Sequence, residues 1–144
     1  MSRATFTTTP GYGQTLFDAL HYRQAVRVGD RVEISGQGGW SSELTFPVRF
    51  PASLADEIVQ AFDNVERTLA TAGASWTDVI AVDTFHVPTA RDTIGDDHTR
   101  VVVEQLRERM GDRASVWTQI GVAALGAPGM RVEIRVTALV GQED

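Results

Sequence analysis

The chain has 144 residues, the size of one domain, and a domain of that length buries roughly two thirds of its unfolded surface without covalent staples. It contains no cysteine, which excludes disulfides, thiolate nucleophiles and thiolate metal sites and makes a reducing cytoplasm the simplest home. With 19 acidic against 13 basic side chains, a net charge of −6, it lacks the positive footprint that displaces counterions from a polyanion, so nucleic acid is not expected as a partner.

The first segment, Met1 to Gly13, is rich in Thr and Gly and has no apolar run long enough for a signal peptide or a membrane span, so it reads as mature from the start, with no membrane partner. Ala25 to Val28 and Arg31 to Ser35 are β-branched runs on either side of Gly29-Asp30, a pair suited to a tight hairpin turn. Gly36-Gln37-Gly38-Gly39-Trp40 and the stretch to Pro51, with its two prolines, read as a loop with room for a short edge strand.

From Ser53 the period changes. Leu54, Ile58, Ala61, Phe62, Val65 and Leu69 fall on one helical stripe, with Asp56, Glu57, Gln60, Asp63, Asn64 and Arg67 expected to face away. Ser53 is the expected N-cap and Gly73 the expected stop. Val79 to Val87 reads as a buried strand ended by Pro88. A second helix is expected from about Asp92 to Gly111, turning Ile94, Val101, Val102, Leu106 and Met110 inward, although Gly95 weakens its first turn.

Two further strands follow, Ser115 to Val122 and Arg131 to Val140, separated by a Gly-Ala-Pro-Gly turn at 126 to 129. In the last strand Val132, Ile134, Val136, Ala138 and Val140 alternate with Arg131, Glu133, Arg135, Thr137 and Leu139. The economical packing is α+β: two helices on one face of a four- or five-stranded mixed sheet, the other face meeting water or another subunit, in a single domain spanning residues 1 to 144.

Candidate chemistry centres on Glu133, flanked by Arg131 and Arg135 on the face the helices leave open. Walled off by an adjoining chain, its carboxylate could orient or deprotonate a water; the alternative is a row of charges on a wet face, where ion pairs are worth little. His21, His86 and His98 show no metal-ligand spacing, and no metal or other cofactor is assigned. Ser35 has no nucleophile elbow around it to support a Ser35-His86-Asp assembly. The Gly36 to Gly39 run lacks the Lys-Ser/Thr of a P-loop, and Trp40 and Trp117 read as core, interface or ligand-platform aromatics.

Three strings carry a family resemblance. His21-Tyr22-Arg23-Gln24-Ala25 through Val28-Gly29-Asp30 to Ile34-Ser35-Gly36-Gln37 resembles the opening hairpin of the RidA (YjgF) reactive-intermediate deaminases, also described as endoribonuclease L-PSP-like. Ala61-Phe62-Asp63-Asn64-Val65 with Leu69 and Ala72-Gly73 resembles that family's helix, and Ile120-Gly121-Val122 with Arg131-Val132-Glu133-Ile134 and Ala138 its tail.

The resemblance implies a chorismate-mutase-like fold, a homotrimer with a central barrel, inter-subunit clefts for a small-molecule metabolite, and cofactor-independent hydrolysis of unstable imines or enamines, such as 2-aminoacrylate, to a keto acid and ammonia. It further implies Glu133 as the acid that positions water. Tyr22, Ser35, Gly36 and Gln37 fall on its ligand-contacting positions, and Trp117, Thr118 and Gln119 on the strand that carries the family's carboxylate-clamping arginine. That arginine is replaced here by Trp117, and a cysteine often found two residues later by Gln119. An indole has one donor and no charge, so it cannot reproduce an arginine fork on a carboxylate. Either the cleft takes a ligand without a carboxylate, or the protein binds without catalysis, or Arg131 or Arg135 supplies the missing charge. Ribonuclease activity, attached to relatives, is disfavoured by the negative charge.

Overall fold

The computed structural model describes residues 3–141. The elements in chain order are β1 (Thr5–Thr7), α1 (Tyr12–Leu20), β2 (Ala25–Val28), β3 (Arg31–Ile34), α2 (Leu54–Thr71), a 3₁₀ turn (Trp76–Asp78), β4 (Val79–His86), α3 (Asp96–Met110), β5 (Val116–Gly121) and β6 (Val132–Leu139). The strands form one six-stranded mixed sheet in the order β1-β2-β3-β6-β4-β5. Only β4 and β5 pair in parallel, joined by the crossover through α3; every other neighbouring pair is antiparallel.

The hairpin, α2, β4, α3, β5 and β6 lie where periodicity places them. Gly29 takes the left-handed conformation the hairpin turn requires, at φ +59°. Ser53 caps α2 by accepting from the Asp56 N–H at 3.2 Å. At the other end Gly73 turns the chain at φ +78°, and Arg27 Nη1 donates to the terminal Ala72 carbonyl at 2.9 Å.

α2 and α3 cover one face of the sheet. Ile58, Phe62, Val65 and Leu69 of α2 and Val102 of α3 are wholly buried against Val32, Val132, Ile134 and Ala138, and Phe62 stacks on Trp76 with ring centroids 5.0 Å apart. Burial of this kind supplies most of the stability of such a layer. The register puts Phe6, Val28, Glu33, Asp83, Phe85, Val116, Glu133, Arg135 and Thr137 on the other face, which no element of the chain covers. Phe6, Val28 and Val116 are exposed on it.

Several expectations are corrected. There are three helices and six strands among the described residues rather than two and four or five, because β1 and α1 fold from the Thr- and Gly-rich N-terminal segment. α1 is held by tertiary contacts rather than propensity. Tyr12 and Leu16 are buried, the Tyr12 N–H donates to the Ser42 carbonyl at 2.8 Å, and a Cβ on Gly11 would lie 2.2 Å from that oxygen. α3 begins at Asp96 rather than near Asp92, because Gly95 breaks the first turn at φ +107° and leaves Ile94 outside the helix.

The loop from Gly36 to Pro51 forms no edge strand beyond an isolated bridge between Gln37 and Ile134. It folds over α2 instead, which buries Glu57 and Asn64 that periodicity turns toward water. Asn64 Nδ2 donates to the Gly38 and Trp40 carbonyls at 2.8 and 2.9 Å. Glu57 accepts from the Arg131 N–H at 2.8 Å and from its guanidinium at 2.6 Å. Both buried polar groups are thereby satisfied, as burial demands.

Candidate active site

Glu133 reaches the open face because β6 alternates strictly, and the register sets it opposite Phe85. The residue at 36 must be small for the carboxylate to lie there: a Cβ on Gly36 would sit 2.6 Å from the Glu133 carboxyl carbon. Among the described residues no protein group donates a hydrogen bond to this carboxylate. Burial pushes its pKa above the usual carboxylate range. Tyr22, just past the C-terminus of α1, is raised likewise, first by burial and then by the nearby Glu133 charge.

Two cavities meet here, and Tyr22 and Ser35 line both. The first, about 540 Å³, adds Gly36 and Glu133 to an apolar wall built from α1, the loop after β3 and the connection before β6. The second, about 780 Å³, mixes the charged side chains of Arg23, Glu33 and Arg135 with apolar ones such as Phe6 and Phe17. The Ser35 hydroxyl donates to the Arg23 carbonyl at 2.7 Å, and its N–H to the Gln24 carbonyl at 2.8 Å.

Of the residues singled out in the sequence, the fold therefore gathers Glu133, Tyr22, Ser35 and Gly36. Gln37 lies behind them, fully buried and outside both cavities. Its carbonyl oxygen accepts from the Tyr12 hydroxyl at 2.5 Å, and its amide donates to Gln24 Oε1 at 2.8 Å and the Ser35 carbonyl at 3.0 Å. It also bridges Ile134 through paired backbone bonds of 2.8 and 2.9 Å, so it braces the loop beneath the site.

Arg131 is turned away, locked onto Glu57 and onto the Pro51 carbonyl at 2.8 Å. Arg135 borders the larger cavity, where its guanidinium pairs with Glu33 at 3.5 Å and donates to the Ile34 carbonyl at 3.3 Å. Of the two arginines weighed as replacement cations, only Arg135 borders a cavity that includes Tyr22 and Ser35.

β5 pairs with β4 so that Trp117 faces Val82 and Gln119 faces Thr84, on the helix side of the sheet. The Trp117 indole donates to Thr84 Oγ1 at 2.9 Å and borders a groove of about 230 Å³ along α3, and Gln119 donates to Thr99 Oγ1 at 3.0 Å. Thr118 is exposed on the open face, in register with Asp83. Within one chain Trp117 and Glu133 thus stand on opposite faces, and a pocket holding both needs the indole of another copy.

Two features escaped the sequence reading. The apolar wall formed by Leu16 and Leu20 was signalled only by the four-residue spacing of Tyr12, Leu16 and Leu20, obscured by the flanking glycines. The other is a histidine pair on the covered face: His86 Nδ1 lies 2.9 Å from His98 Nδ1, and His86 Nε2 lies 2.8 Å from Thr84 Oγ1. Thr84 Oγ1 accepts from the Trp117 N–H and is also bonded to His86 Nε2, so the indole, the hydroxyl and the two imidazoles form one connected chain. Burial, aided by His98, lowers the His86 pKa to about 4, and burial with the charge of Arg131 lowers that of His98. Both rings are neutral near pH 7. No group of acidic or histidine side chains among the described residues has the geometry of a metal site, and no helix among them is long and apolar enough to cross a membrane.

Comparison with known proteins agrees with this architecture. The family model described as endoribonuclease L-PSP matches residues 14–140. The RutC family protein YjgH of Escherichia coli is 31% identical over 134 residues, covering 93% of this chain and 94% of that one. A 2-iminobutanoate/2-iminopropanoate deaminase of Dermatophagoides farinae is 39% identical over 64 residues, which is 44% of this chain and 48% of that protein. Among solved structures, Rv2704 of Mycobacterium tuberculosis, described as a member of the YjgF/YER057c/UK114 family, superposes with a TM-score of 0.74 at 26% identity, covering 96% of this chain and all of that one. By the extent of these matches and by its sheet, the chain belongs to the endoribonuclease L-PSP family, the RidA (YjgF) group.

Proposed function

We propose that the protein hydrolyses an imine, or an enamine after its protonation to the imine, by means of a water held on Glu133. The observation that carries this reading is the Glu133 carboxylate itself, bordering a cavity against Gly36 with no protein hydrogen bond of its own. Glu133 is half-buried, and with no donor from the protein its carboxylate oxygens stay open to the cavity, where a water or a substrate N–H is the natural occupant. The naming of a partial relative as an imine deaminase supports the same chemistry.

In the reaction the water oxygen bonds to the imine carbon while Glu133 takes one water proton and passes it to the nitrogen, giving a carbinolamine. Glu133 then takes the hydroxyl proton and delivers it to the amine, the C–N bond breaks, and a carbonyl compound and ammonia leave. A carboxyl raised toward neutrality suits both transfers, because it gives and accepts a proton at comparable cost. Tyr22, Ser35 and Gly36 border the same cavity, and in this reading they position the substrate.

The reading includes a homotrimer. The open face, with Phe6, Val28 and Val116 exposed, is the surface that copies of the chain cover. In that assembly Trp117, Thr118 and Gln119 of a neighbour close the cleft. A second reading, ligand binding without turnover, is favoured by the indole at position 117 where the family's arginine is expected. The test generates 2-aminoacrylate or a larger imine in situ and follows ammonia release. Acceleration that Glu133→Ala abolishes supports hydrolysis, whereas saturable quenching of Trp fluorescence by a metabolite without ammonia release supports the second reading.

A further inference from the structure

The cavity beside Glu133 is larger and drier than a small imino acid needs. Its walls are Leu16 and Leu20 from α1, Trp40 and Leu44 from the loop after β3, and Met130 before β6, with Phe46 at the rim. Leu16, Trp40, Leu44 and Met130 form their own buried cluster with Tyr12, so the wall is preformed. At about 540 Å³ it falls within the range of small-molecule sites, and an apolar cavity of roughly 150 Å³ already accepts benzene. A substrate of a few atoms would leave most of this wall wet.

The charge pattern narrows the ligand further. Glu133 is the only ionisable carboxyl lining this cavity, and no Lys, Arg or His lines it. A carboxylate placed there would meet a carboxylate with no counter-charge from the same chain, and the Trp117, Thr118 and Gln119 that a neighbour adds in the proposed trimer are uncharged. The cations of the adjoining cavity are already engaged: Arg135 pairs with Glu33, and Arg23 donates to Thr8 Oγ1 at 3.0 Å with its guanidinium 3.9 Å from the centre of the Phe17 ring. Neither is a preformed carboxylate fork.

From this geometry we infer that the substrate is an imine without a carboxylate, bearing an aryl or branched alkyl group that fills the cavity between α1 and Met130 while its C=N lies at Glu133. The inference rests on the imine-hydrolysis reading above and names its substrate class. Such imines are the products of amine oxidation or of ammonia condensing with an apolar aldehyde, so a reaction of one of those classes supplies the substrate.

Three imines made in situ test it: 2-phenylethanimine from phenethylamine with a flavin amine oxidase, and 2-imino-3-phenylpropanoate and 2-iminopropanoate from the amino acids with an amino-acid oxidase. The expected kcat/KM for 2-phenylethanimine is at least about tenfold above that of either carboxylate, since a single methylene in an apolar pocket is worth about tenfold or more. Gly126→Phe, at a lining position where a Cβ meets nothing within 4 Å, should shrink that preference about tenfold. Leu20→Arg, which adds a cation at an exposed wall position, should raise turnover of the two carboxylates relative to 2-phenylethanimine. Preference for 2-iminopropanoate, or no change of preference in both variants, overturns the inference.

If no imine is hydrolysed, the reaction fails separately from the pocket. Phenylacetamide and phenylacetate are then titrated against intrinsic fluorescence, with Trp40→Phe as the control that assigns the signal. Saturable quenching by the amide, at least tenfold tighter than by the carboxylate, keeps the apolar uncharged ligand class; equal binding, or none by the amide, removes it.

Discussion

Two glutamates on opposite sides of the sheet, Glu57 and Glu133, are treated in opposite ways. On the face beneath α2 and α3, His86 and His98 bond to each other, and Glu57 at the edge of that layer is pinned by Arg131. On the open face Glu133 is raised by the same burial but is given no partner. A buried polar group that is paired stabilises the fold it sits in, and one left unpaired costs stability unless a ligand completes it. On the proposed reading Glu57 on the covered side contributes to stability, whereas Glu133 on the open face is left available for the chemistry.

Substitutions should separate the faces in proportion to the bonds they break. The largest loss is expected from Glu57→Ala, which removes both bonds that its buried carboxylate makes to Arg131; breaking a buried pair of this kind costs about 3 kcal/mol, read as a lower urea midpoint. Acid should act nearly as strongly on the covered face. The His86 pKa is lowered on folding, so the unfolded chain binds the extra proton, and the stability His86 contributes is complete above about pH 6.5 and is lost as pH falls toward about 4. That loss is on the order of 3 kcal/mol, and the pH dependence of the urea midpoint over this window should flatten in His86→Asn.

Gly36→Ala comes next, because its Cβ would lie 2.6 Å from the Glu133 carboxyl carbon. Overpacking costs about 1 to 3 kcal/mol, and here it displaces the reacting group, so turnover should drop with stability. The smallest stability change belongs to Glu133→Gln. It loses no protein hydrogen bond and removes a partly desolvated charge, so stability should equal that of the parent or exceed it by up to about 0.5 kcal/mol, and a loss as large as that of Glu57→Ala would erase the distinction between the faces.

What the sequence disclosed follows the same division. The alternation of β6, the Ser53 cap and the stripe of α2 are local periodicities, and the structure keeps them. Glu133, Tyr22, Ser35 and Gly36, which border one cavity, lie in strings local to one hairpin and one strand. Glu57 and Asn64 were turned outward by the same periodicity because no helical pattern reports that a distant loop will fold over a polar stripe. α1 was missed because its stability comes from Tyr12 and Leu16 docking far along the chain. The position of Trp117 across the sheet from Glu133 depends on the pairing register of β5, β4 and β6, which no single strand encodes.

The most direct measurement of the account is the pH dependence of ammonia release from 2-phenylethanimine by the parent protein and by Glu133→Gln. In the parent kcat/KM should fall on the acid side with a midpoint above the ordinary carboxylate value of 4.5, and Glu133→Gln should lose about a hundredfold or more of the rate together with that limb. Equal rates in the two proteins, or the same acid limb surviving in the variant, would contradict it.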